Sequence, residues 1–481
     1  MTETEDKACH FPYLPHTDAD RQAMLKAIGV KSFEQLIDLI PKEVRSKDLK
    51  LPSGMSELEL TQHIASLAAK NQPASAQANF LGGGAYRRFV PAIVPAIISR
   101  SEFSTAYTPY QAEASQGTLQ AIYEFQTAVC LLTGMEVANA SIYDGPTALA
   151  EAALMACRLT ERNKVLIGET VNNEYALVTE TYAKASHIDV ATLSSADGLT
   201  VTKEINESDK PAAVIVQYPN FLGCIEDLNS LAEATHKAGA LLVVVSDPLS
   251  LGLLAPPGQF GADIVIGDAQ QCGNSLSFGG PSAGYIACRQ EFVRQLPGRL
   301  AGMTVDKEGK RAYTLTLQTR EQHIRRAKAT SNICTNQALN ALAMLVYLTA
   351  MGPYGLRQIG ILSMQRAHYL AERLTAIEGV KRPLGASFFN EFVITTAKPS
   401  RYILEELLKN GILGGLDLNA HKPFVKDGIL VAVTEMNSKT QLEHYAHVLA
   451  QILADEGNGK DVTKPNSVSL SRFSKTSSPV K

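Results

Sequence analysis

What the sequence has little of narrows the field first. Basic and acidic side chains nearly cancel, 45 Lys and Arg against 48 Asp and Glu, for a formal net charge of -3. The chain therefore lacks the positive field on which nucleic-acid binding depends. Seven cysteines (Cys9, Cys130, Cys157, Cys224, Cys272, Cys288, Cys334) are odd in number and form no C-x-x-C pair. That argues against a disulfide framework and a zinc site, and fits a reducing cytoplasm. The opening residues, MTETEDKACHFPYLPHTDADRQ, are polar and acidic where a secretory leader is basic and then apolar. The most apolar stretch, Ala338 to Met351, is shorter than the roughly 20 residues of a bilayer crossing, and Asp247 interrupts the run from Leu241 to Leu254. A cytoplasmic protein with small-molecule or protein partners, no nucleic acid and no membrane is expected. One absence is local: no lysine stands between Lys237 and Lys307. Yet residues 262 to 287, ADIVIGDAQQCGNSLSFGGPSAGYIA, read as a buried strand, a polar turn and a glycine-rich loop entering a second apolar strand.

Among what is present, 481 residues are enough for two or three domains at roughly 150 residues each. Residues 1–75 read as an N-terminal helical arm: Thr17 is a candidate cap before an apolar stripe at Met24, Leu25, Ile28 and Val30, and Ser32 opens a second short helix. From residue 117 a helix, GTLQAIYEFQTAVCLLTG, ends at Gly134. Short β-branched runs follow at 165–168, 188–193, 212–219, 240–247 and 262–268, separated by helical stretches such as Asn173 to Ala185 and Ile225 to Ala238. Continuous apolar strands alternating with helices predict an α/β domain, residues 76–330, built on a mostly parallel sheet covered on both faces. A helix from Thr335 to Leu348 leads into a smaller C-terminal α/β domain, 331–455. The Ser- and Lys-rich residues 456–481 bury too little apolar surface to offset chain entropy, so a disordered tail is expected.

Several stretches could carry chemistry. In NASIYDGPTALAEAALMACRL, Asp144 or Gly145 sits near a helix cap, Pro146 near the first helical position and Thr147 just inside. Exposed amides there favour an anion by about 0.3–1 kcal/mol, and a well-capped buried helix is the alternative. Asp247 ends an apolar strand, where ligands of open α/β sheets bind, or it is a turn residue ahead of Pro248. Gly82-Gly83-Gly84 reads as a flexible turn rather than a phosphate cradle. YTPYQAEASQG (107–117) is aperiodic and polar, suiting a ligand or partner loop, and His323, Arg325, Arg326 and Lys328 cluster in 319–337, where a solvated helix face is the alternative. His444 and His447 lack a third ligand at metal spacing and read as a surface helix.

Taken together, FLGGGAYRRFVPAIVPAIISRSEFSTAYTPYQAEASQG, LTGMEVANASIYDGPTALAEA, VQYPNFLGCIEDL, SFGGPSAGYIA, GRLAGMTVDKEGKRAYTLTLQTREQHIRRAKATSNICTNQAL and FFNEFV resemble subunit 1 (the α subunit) of the two-chain P-proteins of the glycine cleavage system, over about residues 10 to 452. The resemblance implies a pyridoxal-phosphate-dependent transferase fold, aspartate-aminotransferase-like and of type I. It implies an α2β2 oxidoreductase in which the β subunit holds pyridoxal phosphate on a Schiff-base lysine. In such an assembly glycine is decarboxylated, carbon dioxide is released and the aminomethyl group passes to the lipoyl arm of H-protein. By position along strand and turn, Gln271 stands where that lysine would be. Its amide nitrogen is delocalised and cannot attack the cofactor aldehyde, so no residue of this chain is expected to be covalently catalytic. Asp144, Gly145 and Thr147, where a cofactor phosphate would dock, and Asp247, facing the pyridine nitrogen, become a vestigial cofactor cradle. Tyr107, Thr108, Tyr110 and Gln111, in the loop from Thr105 to Gln116, and Arg325, Arg326 and Lys328 are expected near the shared active site or the subunit contact. Asn172-Asn173 stands where the family often has His-Pro. Two other readings are a catalytically silent scaffold that only stabilises its partner, and a free-standing vitamin B6 enzyme using Lys307, Lys310 or Lys328.

Overall fold

The structure, a computed structural model, describes residues 16–45, 54–73, 76–422 and 424–455. The expected tail, 456–481, lies outside them. The chain divides after Pro73 into two compact units. In the first, helix α1 (Asp18–Ile28) is held by a capping box: Asp20 donates its amide to the Thr17 hydroxyl at 3.2 Å and accepts the Thr17 amide at 2.8 Å. Gly29, at φ 88°, supplies the left-handed residue that ends it. Helix α2 (Glu57–Ala68) has the same box from Ser56 and Glu59. Ser32 precedes a short helix, Phe33–Leu36, but makes no capping hydrogen bond. Leu25 is the one buried side chain among this unit's described residues.

The second unit is organised by a seven-stranded sheet: β1 (Val137–Ala138), β2 (Lys164–Gly168), β3 (Asp189–Leu193), β4 (Ala213–Tyr218), β5 (Leu241–Ser246), β6 (Ile264–Asp268) and β7 (Gly284–Cys288), in the spatial order β1-β7-β6-β5-β4-β2-β3. Strands β2 to β6 run parallel, and β7 is antiparallel to both its neighbours. Alternation along each strand feeds two cores. Val214, Val216, Leu242, Val244 and Val265 pack with Phe125 and Val129 of α3 (Gln116–Thr133). Ile215, Val243, Val245, Ile264 and Ile266 pack with Leu149, Ala152 and Met155 of α4 (Gly145–Thr160). Near-continuous apolar strands are what a sheet buried on both faces requires. This is the α/β architecture expected, and α3 ends at Gly134 as its φ of 71° permits.

The helix expected to stop at Leu348 instead runs, with a kink, from Ala338 to Thr375. Gly352 adopts a non-helical φ of 59° that only glycine takes without strain, and Pro353 restarts the helix where its missing N–H costs nothing. The whole is thus long and apolar enough to cross a membrane by length and composition, correcting the expectation that the stretch is too short. Its Ala341, Ala343, Met344 and Tyr347 are, however, buried in the core shared with Val244 and Val265.

Beyond it, Glu391–Thr395, Gly428–Ala432 and Leu416–Asp417 form a three-stranded antiparallel sheet, with helices Ser400–Lys409 and Lys439–Ala454 against it. Ala78–Asn79 pairs with Ile412–Leu413, and Ala432 donates to the Phe80 carbonyl at 3.0 Å. That pairing carries Gly82–Arg88 across the carboxyl ends of the main sheet.

Candidate functional site

The carboxyl ends of β4, β5 and β6 enclose a cavity of about 40 Å³ lined by, among others, Tyr86, Tyr175, Asp247, Asp268, Gln270 and Gln271. Gln271 is 5% exposed. Its Oε1 accepts from Arg88 Nε at 2.9 Å and Nη2 at 2.7 Å. Arg88 Nη1 donates to Glu435 Oε2 at 2.9 Å and to Ser363 Oγ at 3.0 Å, a buried ion pair in which every acceptor is hydrogen-bonded. Next to it Gln270 clamps the backbone of Tyr86 from both sides, accepting its N–H at 2.9 Å and donating to its carbonyl at 3.0 Å. The Tyr86 hydroxyl donates to Glu391 Oε2 at 2.6 Å.

At the other wall, Asp144 caps α4 by accepting the Thr147 amide at 2.8 Å, settling which of Asp144 and Gly145 is the cap. The Gly145 amide donates at 2.9 Å to Asp268 Oδ2. Gly145 packs against Tyr175: a Cβ there would lie 2.0 Å from the Tyr175 hydroxyl oxygen, so the ring would have to move. Asp247 accepts the Leu249 amide at 2.9 Å while lining the cavity, so it serves both as turn residue and as cavity wall.

Three comparisons agree with this geometry. Residues 12–449 match the family model described as glycine cleavage system P-protein. The probable glycine dehydrogenase (decarboxylating) subunit 1 of Desulforamulus reducens is 50% identical over 443 residues, covering 92% of this chain and 99% of that protein. The chain belongs to the glycine cleavage system P-protein family. A crystal structure of glycine decarboxylase (P-protein) of the glycine cleavage system, in inhibitor-bound form, superposes with a TM-score of 0.85 at 45% identity, covering 92% of this chain and all of that one. A Burkholderia pseudomallei sphingosine-1-phosphate lyase shares the fold alone, at 13% identity and a TM-score of 0.61 over 85% of this chain and 93% of that one. The fold is that of pyridoxal-phosphate-dependent enzymes of type I, as the sequence resemblance implies.

The residues of this P-protein chain do not fit that cofactor in their own cradle. A water needs roughly 10–15 Å³ of such space, and small-molecule sites span roughly 300–1,000 Å³; about 40 Å³ admits a few waters only. The helix-start amide is committed to Asp268, and the residue at the amine position is an amide locked on Arg88.

Sequence reasoning placed Gln271, Asp144, Gly145, Thr147 and Asp247 around one site, and the structure brings them together with Asp268. It missed Arg88, Glu435, Tyr86 and Glu391. Gly82–Gly84, read as a flexible turn, is in fact packed: a Cβ on Gly82 would lie 2.2 Å from Glu391 Oε1, and the Gly83 amide donates to that atom at 2.8 Å. Asn172 caps the helix Asn173–Ala185 and donates to the Gly83 carbonyl at 3.0 Å. Of the lysines considered, Lys307, Lys310 and Lys328 are exposed and none lines the cavity. A buried one went unnoticed: Lys422 donates to the Val171 carbonyl at 2.7 Å and to that of Glu169, and burial lowers its pKa to about 8. It lines a separate cavity of about 330 Å³.

The remaining candidates gather on the surface. Tyr107 is 87% exposed, and Gln111, Arg325, Arg326 and Lys328 are exposed, while Thr108 is half-buried. Tyr110 joins the two segments: its hydroxyl accepts from Arg299 Nη2 at 3.1 Å and its ring meets His323 edge-on at 6.0 Å. The 319–328 stretch forms short turns, Gln322–Arg325 and Arg326–Lys328, not one helix face. Beneath it Arg299 and Glu321, both buried, approach only to 3.8 Å, and Arg299 Nε and Nη1 and Glu321 Oε1 lack hydrogen-bond partners among the described residues. His444 and His447 are exposed on a helix, and no group of three metal-ligating side chains occurs among the described residues.

Glu391 yields a pH test. Burial raises its pKa from 4.5 to about 7, against the lowering effect of the Tyr86 hydroxyl and Gly83 amide. Between those values the folded chain binds the extra proton, so this group's contribution to stability is complete below about pH 4.5 and falls as pH rises through 7, by up to about 3 kcal/mol. Urea unfolding at about pH 5 and about pH 8 should show a smaller loss for Glu391→Gln than for the parent; equal losses would refute the assignment.

Proposed function

We propose that this chain is subunit 1 of a glycine dehydrogenase (decarboxylating), working in the cytoplasm as one half of an α2β2 assembly. The partner β subunit holds pyridoxal phosphate on its own lysine, where the cofactor supplies the electron sink for loss of the glycine carboxylate. Carbon dioxide leaves, and the aminomethyl group passes to the lipoyl arm of H-protein. The observation that carries this reading is Gln271: the scaffold is kept, and the one position that needs an amine holds a buried amide bonded to Arg88. The six described cysteines are free thiols, which supports a reducing compartment.

The surface cluster of Tyr107, Thr108, Tyr110, Gln111, Arg325, Arg326 and Lys328 is this chain's contribution to the shared active site or the subunit contact. Its support is the way Tyr110 ties the two exposed segments together over the buried Arg299–Glu321 pair.

The test is reconstitution. The chain alone should release no labelled carbon dioxide from carboxyl-labelled glycine, and the pair with H-protein should. Tyr107→Ala should leave the isolated chain within about 0.5 kcal/mol of its parent, since Tyr107 is 87% exposed, whereas Tyr110→Ala also removes a hydrogen bond to buried Arg299 and should cost roughly 1–3 kcal/mol. Each should assemble normally yet slow turnover by roughly tenfold or more, about 1.4 kcal/mol of barrier. Impaired assembly with normal turnover of what does assemble would establish the silent scaffold instead. Decarboxylation by the chain alone would overturn the whole assignment.

A further inference from the structure

Asp268 is the last residue of β6, three residues before Gln271, and its carboxylate accepts three hydrogen bonds. The Gly145 amide donates to Oδ2 at 2.9 Å, the Gln270 amide to Oδ1 at 2.8 Å, and the Ser282 hydroxyl also to Oδ1. Burial raises the carboxyl's pKa, and the three donors work against that by stabilising its ionised form. Two of these donors are backbone amides, and one belongs to the first residue of α4, a 16-residue helix whose dipole favours negative charge at that end. These are the contacts that an external phosphate or carboxylate would make. Tyr175 lines the cavity and stands against Gly145, where a Cβ would lie 2.0 Å from its hydroxyl oxygen. The remaining space, about 40 Å³, is too small for a phosphate-bearing ligand. A second carboxylate, Asp144, caps the same helix. An incoming phosphate would therefore meet two like charges at the one place where it could be bound.

We propose that the Asp268 carboxylate is a built-in anion: it takes the anion position at the start of α4 and shuts this chain's cradle to phosphate-bearing ligands, bound covalently or not. The missing lysine alone would not do this, because a phosphate can be held by amides with no covalent bond. Closing the anion position leaves each pair of subunits with one cofactor pocket. The proposal goes beyond the function assigned to the pair, and its test needs neither glycine nor partner, so the two can fail separately.

The experiment titrates the full-length chain with inorganic phosphate, and separately with pyridoxal phosphate, a parallel sample being reduced with borohydride after the cofactor is added and mapped by mass spectrometry so that adducts of surface lysines are identified and discounted. Binding is followed calorimetrically and by the shift in melting temperature, with chloride at matched ionic strength as reference. The parent chain should show no saturable binding of either probe. Asp268→Ser, which removes the charge and shortens the side chain, should bind phosphate at least roughly tenfold more tightly than the parent. Glu378→Gln, the loss of one exposed charge remote from the cradle, should change nothing. Saturable phosphate or pyridoxal phosphate binding by the parent, or a folded Asp268→Ser chain with no gain, would overturn the proposal. If the serine variant does not fold, Asp268→Ala, whose side chain cannot accept from the Gly145 amide, is read by the same criterion, and the parent's titration stands as a test by itself.

Discussion

Replacing Arg88 with alanine is expected to lower the unfolding free energy of the chain by roughly 3–5 kcal/mol, the range for breaking a buried charge pair by removing one partner. The guanidinium reaches three side chains from different parts of the sequence. It gives two hydrogen bonds to Gln271, one to Glu435 and one to Ser363. Its loss would leave the Glu435 carboxylate, whose side chain is 8% exposed, facing the Gln271 carbonyl with no cation between them. Lysine should rescue less than half of the deficit, since a single ammonium cannot span the directions that the planar fork serves. The double variant Arg88→Met with Glu435→Leu should lose less than Arg88→Ala, because it removes the charge along with its partner. Urea midpoints with an unchanged m-value measure all three. A loss below about 1 kcal/mol for Arg88→Ala would show that the ion pair does not hold the cradle together.

Restoring the missing amine is expected to damage the chain without restoring the cofactor link. In Gln271→Lys a second cation would be placed where Arg88 Nε and Nη2 now find an acceptor, so the guanidinium would lose that acceptor and face a like charge, with Glu435 as its ion-pair partner and Asp247 the other carboxylate acting on it. An uncompensated buried charge costs on the order of 3–5 kcal/mol, or the new amine stays neutral at neutral pH. Either way the cavity remains about 40 Å³ and Asp268 still holds the Gly145 amide. Incubation with pyridoxal phosphate, borohydride reduction and mass spectrometry of the 262–287 peptide should therefore find no adduct at position 271. One equivalent of adduct per chain would mean that the amine was the only thing lacking, and the closed-cradle account would be wrong.

How much of this was legible in the sequence depends on the distance over which each feature is decided. Strands β2, β4, β5 and β6 are largely apolar runs of five or six residues, and burial on both sheet faces makes such runs recognisable without knowledge of their neighbours. The α4 cap was legible for the same reason: Asp144 and Thr147 are three residues apart and their hydrogen bond is local. Gln271 was found from a residue type missing from its expected place. By contrast, Arg88 lies 183 residues from Gln271 and 347 from Glu435, and nothing in YRRFVP distinguishes it from Arg87. The glycines at 82–84 looked flexible because the carboxylate packed against them, Glu391, arrives from a different sheet. The long helix looked short because glycine followed by proline normally ends a helix; here both halves keep their apolar faces buried in neighbouring cores.

By itself the sequence determined the α/β class, the order of strands and helices, and the absence of a nucleophilic amine at the end of β6. These follow from side-chain chemistry and from periodicities that a few neighbouring residues define. Only the tertiary structure decided what replaced that amine, because it took four separate segments to bring Arg88, Gln271, Ser363 and Glu435 into contact. The same holds for the closed cradle. Whether Asp268 points at solvent or at the Gly145 amide depends on how β6 packs beside the start of α4, 123 residues earlier, and no local pattern encodes that approach.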